Sequence, residues 1–348
     1  MIDIALLTDL CRIPGAPGYE EPIRKYVKEQ IEPLVDEVRV DAMGNLVAVK
    51  TGKEDKSLMV TAHLDEISFI VSHIDDDGFL RFQPLGGFDP KTLTAQRVII
   101  HGREDVMGVM GCKPVHLMTK EEKDKPLQLK DYFIDTGLSK EDVKKKIDIG
   151  DVITRERELI RMGECVNAKS LDNRISVYVL IELLRSLKGK TIPYDLYAVF
   201  TVQEEVGLRG AKTAASAVDP NFGINLDVTV AFDLPGAQSQ EKVSKLGEGT
   251  AIKILDGTTI CDVRMVRFMK DCAESGNIKW QAEVLPAGGT DTAMVQRAGR
   301  NGSIAGGISI PCRNLHQVIE MVHIKDVEAS IALLKECVQR IDSFDHKF

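Results

Sequence analysis

Apolar runs that end in metal-binding side chains constrain this chain more than any other feature. Leu58-Met59-Val60-Thr61-Ala62 leads into His63, Leu196 to Val202 leads into Gln203-Glu204-Glu205, and Phe222 to Leu226 leads into Asp227. Short continuous runs of this kind fit strands buried on both faces, as in the parallel core of an α/β sheet. In an open sheet of that type, ligands bind beyond the carboxyl ends of the strands. The pattern therefore predicts that His63, Glu204, Glu205 and Asp227 gather at one end of one sheet. Another strand is expected over Ser303 to Ile310, followed by Pro311 and soon by His316.

Helical patterns alternate with these runs. Asp172 precedes Ile175, Val179, Leu183 and Leu187, a four-residue spacing that stops before Gly189. This predicts a core-facing helix with Asp172 at its start and Gly189 as its C-terminal cap. Val327, Ile331, Leu334, Val338 and Ile341 mark a closing helix. The N-terminal stretch Met1 to Leu10 carries early acids and no basic region, so it reads as a helix and not as a signal peptide. The expected fold class is α/β, a mixed sheet flanked by helices, built from residues 1–67 and 157–348.

The segment between has another texture. Residues 69–118 hold short β-type segments and turn signals, such as Asp76-Asp77-Gly78 between Phe69-Ile70-Val71 and Phe79-Leu80-Arg81-Phe82, without a long amphipathic helix. A charged stretch, Lys120 to Lys146, follows, and Asp148 to Ile153 reads as a return strand. Residues 68–156 are thus expected to form a small inserted β-rich, barrel-like domain.

Composition removes several classes of function. The 348 residues are 43% hydrophobic, enough to bury a sizeable core as one large domain or two smaller ones. The net charge is -8, and no run of Lys or Arg could track a phosphate backbone, so nucleic acid is not an expected partner. No apolar run approaches the roughly 20 residues that a membrane helix needs. Seven cysteines, an odd number without a Cys-x-x-Cys pair, fit free thiols in a reducing compartment, so the expected location is the cytoplasm.

Taken singly, the candidate ligands are weak. Asp172 alone reads as a helix N-cap, Glu204-Glu205 as a solvated acidic pair, and His63 and His316 as ordinary histidines. Asp233 competes with Asp227, and His73, His101, His116 and His346 carry no signal. Together, two imidazoles and the carboxylates Asp172, Glu205 and Asp227 suit zinc, cobalt or manganese, because calcium and magnesium prefer all-oxygen sites. Asp65 lies two residues after His63. On a strand both would face one side, where the carboxylate could orient the imidazole.

These motifs resemble the tetrahedral, or deblocking, aminopeptidase family of cocatalytic metallopeptidases, which includes glutamyl aminopeptidases and relatives sometimes labelled endoglucanases. The resemblance runs from Pro14-Gly15-Ala16-Pro17-Gly18-Tyr19-Glu20 and Asp41-Ala42-Met43-Gly44-Asn45 to the final helix. Its most specific blocks are Ala62-His63-Leu64-Asp65-Glu66-Ile67, Leu171-Asp172-Asn173-Arg174-Ile175 and Thr201 to Ala211. Asp227-Val228-Thr229, Gly288-Gly289-Thr290-Asp291 and Arg313-Asn314-Leu315-His316 complete the set.

The resemblance implies a zinc-exopeptidase-like fold and an aminopeptidase acting on peptides with two divalent metals per subunit. His63 and Asp227 would bind one metal, Glu205 and His316 the other, and Asp172 both. Asp65 would support His63, and Glu204 would be the general base. The inserted region would be a dimerisation domain, and the assembly a dodecamer of dimers. The chain departs from the family pattern at Ser68, Asn314 and Thr292-Ala293-Met294, none of them a ligand.

Two other readings compete. Glu204 and Glu205 could serve as a glycosidase carboxylate pair, but this leaves His63 and His316 without roles, and the single tryptophan offers little for sugar stacking. A metal-stabilised assembly protein would not need Glu204.

Overall fold

A computed structural model describes residues 2–347. Strands β1 (Glu37–Val40), β2 (Leu46–Lys50) and β3 (Glu54–His63) open the chain's sheet structure. Six strands of an inserted unit follow: β4 (Ser68–Ile74), β5 (Leu80–Leu85), β6 (Arg97–His101), β7 (Asp105–Cys112), β8 (Tyr132–Asp135) and β9 (Val152–Arg155). Then come β10 (Ile160–Met162), β11 (Cys165–Ala168), β12 (Tyr194–Thr201) and β13 (Phe222–Val230). The last four are β14 (Thr250–Leu255), β15 (Trp280–Val284), β16 (Ile304–Arg313) and β17 (Glu320–His323).

The large sheet is mixed, in the order β1-β2-β12-β3-β13-β16-β17-β11-β10, with β14 pairing both β15 and β16. Its centre, β12, β3, β13 and β16, is parallel. These central strands contain the apolar runs that the sequence singles out, and they are buried along most of their length, except at the Glu54–Ser57 opening of β3. A parallel strand covered by helices on both faces has no solvated side on which to place polar residues.

The helix Leu171–Leu187 packs against β3 and β13 beneath the helices Ile4–Arg12 and Ile324–Arg340. It is buried nearly all round, which explains why its apolar residues extend beyond one stripe. Beyond Leu187, Gly189 takes φ +70°, the left-handed conformation of a helix stop. The closing helix is Ile324–Arg340, with Ile341 in the short turn after it. The N-terminal helix is Ile4–Arg12, capped by Asp3, whose side chain accepts from the Leu6 N–H; Met1, included in the expected helix, lies outside the described residues.

The six inserted strands close into an antiparallel barrel, β4-β5-β8-β7-β6-β9, with its own core of Phe69, Phe82, Ile100, Ile134 and Ile153 among others. The Asp76-Asp77-Gly78 turn joins β4 and β5, and Gly78 takes φ +91°. Two short helices, Lys120–Lys123 and Lys140–Lys146, occupy the charged stretch. The seven cysteines are all free thiols. No helix among the described residues is long and apolar enough to cross a membrane.

Several expected boundaries move. The strand ending at His63 begins at Glu54, and β16 runs through Pro311 to Arg313. The return strand is Val152–Arg155, later than Asp148 to Ile153, because Gly150 takes φ +101° and a turn fills the first positions. Asp227 does not end its strand: β13 continues to Val230 in register with β16.

Candidate metal centre

The carboxyl ends of the central strands converge on one cavity of about 530 Å³. His63, the last residue of β3, is 1% exposed. Its Nε2 lies 3.2 Å from Asp172 Oδ1, 3.8 Å from Asp227 Oδ1 and 3.9 Å from Glu204 Oε2. His316, in the loop between β16 and β17, brings its Nε2 to 3.3 Å from Asp172 Oδ2 and 3.6 Å from Glu205 Oε2. The seven candidates thus meet, drawn from strands, a helix start and loops scattered over the part of the chain that forms the large sheet.

Asp172 sits between the histidines because the helix does not begin as expected. Ser170 is the residue preceding that helix, and the backbone leaves helical geometry at Asp172 and Asn173, where the peptide bond is cis. The Asp172 carboxylate does not cap the helix; it faces His63 and His316. Its own N–H is taken by Glu320 Oε2 at 2.9 Å.

Asp65 also reaches its place differently from the expected alternation. β3 stops at His63, so Asp65 lies in the following turn, fully buried. Its two carboxylate oxygens accept the main-chain N–H groups of Glu204 and Glu205, each at 3.0 Å. One residue earlier, the Gln203 N–H donates to Glu20 Oε1 at 3.0 Å. Three successive peptide N–H groups are thus held by buried acids, which fixes a turn where Gln203 has φ +55°. His63 Nδ1 faces the Asp65 main-chain oxygen at 3.1 Å and the carboxylate at 3.5 Å. A carbonyl oxygen only accepts, so Nδ1 carries a proton, and Nε2, which faces the carboxylates, is the nitrogen left to bind a cation in exchange for its own proton.

Crowding so many acids in a buried space has a large electrostatic cost. Burial pushes Glu205 up to about 8, with the Asp172 charge adding to it. Burial likewise carries Asp227 to about 7, and Glu204 well above the carboxylate range. For His316, burial opposes the charged form, but Asp172 and the Glu205 charge outweigh it and lift the imidazole to about 10. His63 follows the same logic, with the Glu204 charge overcoming burial. At Asp172, burial is outweighed by His316 and His63, which hold the carboxyl below its usual range. Without cations, the cluster relieves its negative charge by holding protons.

The donor set fits metal ions. His63, Asp172 and Asp227 form one group and Asp172, Glu205 and His316 another, each with ligand atoms within 4.8 Å of one another. Asp172 belongs to both. Asp172 Oδ1 and Glu205 Oε1 are buried without a hydrogen-bond partner, although His63 Nε2 stands at ion-pair distance from the former. A dication satisfies such oxygens, and this mixed nitrogen and oxygen set is what zinc, cobalt and manganese accept. Glu204 belongs to neither group and stands beside them, 8% exposed.

The sequence profile of the M42 glutamyl aminopeptidase family matches residues 44–333. The chain belongs to this family. A putative aminopeptidase from Acetivibrio thermocellus is 41% identical over 334 residues, covering 96% of this chain and 97% of that protein. Among solved structures, an aminopeptidase from the archaeon Desulfurococcus kamchatkensis superposes with a TM-score of 0.93 at 36% identity, covering 99% of this chain and 98% of that one. A TET1 peptidase from Pyrococcus horikoshii, described as assembling into a tetrahedron or a large octahedral shell, gives a TM-score of 0.87 at 31% identity, with 96% and 98% covered. As an M42 member, the protein is an aminopeptidase, a hydrolase.

Other expectations are resolved by geometry. Asp233 is absent from both groups and instead accepts from Arg313 Nε and Nη2, each at 2.6 Å. His101 lies between Asp105 and Thr154, at 2.8 Å from each, and His73, His116 and His346 are likewise outside both groups. Further buried acids support the site without being singled out by the sequence as site residues, among them Asp291 and Glu320. Asp291 accepts from Thr201 Oγ1 at 2.6 Å, and its signal was already present in the Gly288–Asp291 block. Glu320, 1% exposed, had only a faint signal, an acid four residues after His316 in a strand-forming run.

Proposed function

We propose that this aminopeptidase removes N-terminal residues from peptides using two divalent cations per subunit, zinc or cobalt with manganese as an alternative. The observation that carries the reading is the pair of three-residue groups sharing Asp172. In this reading His63 and Asp227 would hold one cation, Glu205 and His316 the other, and Asp172 would serve both. When bound, such a pair supplies Lewis acidity for the scissile carbonyl and makes an attacking water more acidic.

Glu204 is the proposed general base. It belongs to neither proposed ligand group although it stands beside His63, and burial holds its carboxyl well above the ordinary range, which matches a group that accepts a proton near neutral pH and returns it to the departing amine. Asp65 is the proposed supporting acid: it fixes the main chain of Glu204 and Glu205 and stands against His63. The cavity beyond, with Val228, Leu285 and Leu315 beside Lys253 and Asp256, has room for one N-terminal side chain and the peptide that follows.

The barrel of residues 68–156 is the proposed dimerisation domain, and the assembly a dodecamer of dimers that admits peptides and excludes folded proteins. Support comes from the family membership and from the barrel surface. Met107, Val109, Val115 and Leu117 are exposed apolar side chains on or just after β7, an area suited to burial by a second copy.

Glu204→Gln and Glu205→Gln test the division of roles. The first should abolish peptide hydrolysis with metal content retained, and the second should lower metal content. Equal loss of metal in both variants contradicts the assignment.

A further inference from the structure

Arg155 ends β9 and so belongs to the barrel, yet its side chain leaves the barrel. It is 2% exposed, lies over the Phe88 ring at 5.2 Å, and donates from Nη1 to the His316 main-chain oxygen at 3.1 Å. Its Nε has no hydrogen-bond partner. A guanidinium buried for packing alone would cost more than it contributes, so its placement calls for a role.

A second barrel group reaches the same residue. The Gly87 carbonyl oxygen, just after β5, lies 3.0 Å from His316 Nδ1. Because that oxygen can only accept, Nδ1 carries a proton, and Nε2, which faces Asp172 and Glu205, is the nitrogen left to bind a cation in exchange for its own proton. The third hold is Glu320. Its Oε1 accepts the His316 N–H at 3.0 Å, while its Oε2 accepts the Asp172 N–H at 2.9 Å. His316 has φ +63°, a conformation that costs a non-glycine residue free energy and persists only when its surroundings impose it.

The two histidines are therefore held by different parts of the molecule. His63 ends a central strand and is oriented by Asp65, both within the catalytic part. His316 is fixed from the barrel by Arg155 and Gly87 and tied to Asp172 by Glu320. We propose that the barrel is a structural component of the metal centre, with Arg155 and Glu320 as positioning residues that set the affinity of the His316 site. This rests on the reading of His316 as a metal ligand.

The test is equilibrium zinc binding to metal-free full-length protein, titrated against a chromogenic chelator so that the two binding steps separate. Arg155→Met should weaken one step by about 10- to 100-fold, the usual effect of removing a group that orients a ligand, and leave the other unchanged. Arg155→Lys, which keeps a donor for the carbonyl, should recover much of the loss. His316→Ala examines the ligand reading by itself and should remove the same step. Should Arg155→Met fail to fold, Glu320→Gln, which removes one of the two acceptors with little change of shape, should weaken that step in its place. Loss of a step in His316→Ala with both steps intact in Arg155→Met or Glu320→Gln overturns the positioning role alone. Two intact steps in His316→Ala overturn the ligand reading, and equal weakening of both steps in the Arg155 variants overturns the selectivity, whereas Glu320 also holds the shared Asp172, so Glu320→Gln reads only the affinity of the His316 step.

Discussion

Replacing Asp65 by asparagine gives a measurable test of how the turn at Gln203, Glu204 and Glu205 is held. Both carboxylate oxygens are in use, each accepting a main-chain N–H at 3.0 Å, from Glu204 and from Glu205. An asparagine keeps one acceptor oxygen and turns an amide NH₂ toward the other N–H, so one charge-assisted bond disappears and a buried donor is left unpaired. A hydrogen bond to a charged group contributes about 1.5–3 kcal/mol, and the site is fully buried, so solvent cannot replace it.

If that loss is expressed as global stability, urea unfolding of the metal-free protein should show a fall of this size with an unchanged slope. If the turn instead loosens within a folded chain, the same energy appears as weaker zinc binding, about 10- to 100-fold on the scale of 1.4 kcal/mol per decade. Either outcome, or a division between them, fits the arrangement. An Asp65→Asn protein that matches the parent in urea midpoint and in both zinc-binding steps would refute the claim that this carboxylate fixes the turn.

Elemental analysis of the purified protein should find two divalent metals per chain; a stoichiometry that stays at one with full activity contradicts the shared role of Asp172. The metal-free protein should lose stability as pH rises from the unfolded carboxyl range of 3.8–4.5 toward about 8, where Glu205 and Glu320 sit, with Asp227 at about 7. Over that window the folded state keeps protons that the unfolded chain has released, so unfolding becomes easier with pH; a thermal midpoint that rises with pH in the absence of metal would contradict the sign. Light scattering should find a particle of dodecamer size, and Met107→Asp with Val109→Asp should reduce it. A monodisperse monomer of the parent protein contradicts the assembly proposal.

How much of this was legible in the sequence depended on periodicity. Continuous apolar runs located β3, β12, β13 and β16, because a strand buried on both faces must be apolar at every position. Since such strands point their carboxyl ends the same way, the convergence of His63, Glu204 and Glu205 followed from the runs alone. Asp172 was legible as a helix start but not as a departure from helical geometry, which no local pattern encodes. β1 and β15 carried too little apolar signal to be expected, since their largely exposed segments resemble loops. The supporting residues Glu20, Glu320 and Arg155 were hidden for a common reason. Each acts through a contact across 130 or more residues of chain, and charged residues are ordinarily read as solvated. The glycosidase alternative loses ground on the same geometry, since both histidines that it leaves idle fall within the metal-capable groups.

The barrel's contacts with His316 change what a barrel deletion can mean. Removing residues 68–156 is the direct way to delete the proposed assembly module, since the barrel has its own core and closes on itself. It would also remove Gly87 and Arg155, and with them the groups that orient His316. A deletion variant that is monomeric and inactive therefore cannot assign its inactivity to the lost assembly. Surface changes at Met107 and Val109 avoid this difficulty, because both side chains point out of the barrel while Arg155 and Gly87 stay in place. If such a variant dissociates and still cleaves short peptides, the shell acts only as a size filter. If it dissociates and also loses one zinc-binding step, pairing of barrels reaches His316 through the rigid strand that carries Arg155, and assembly tunes the metal centre itself.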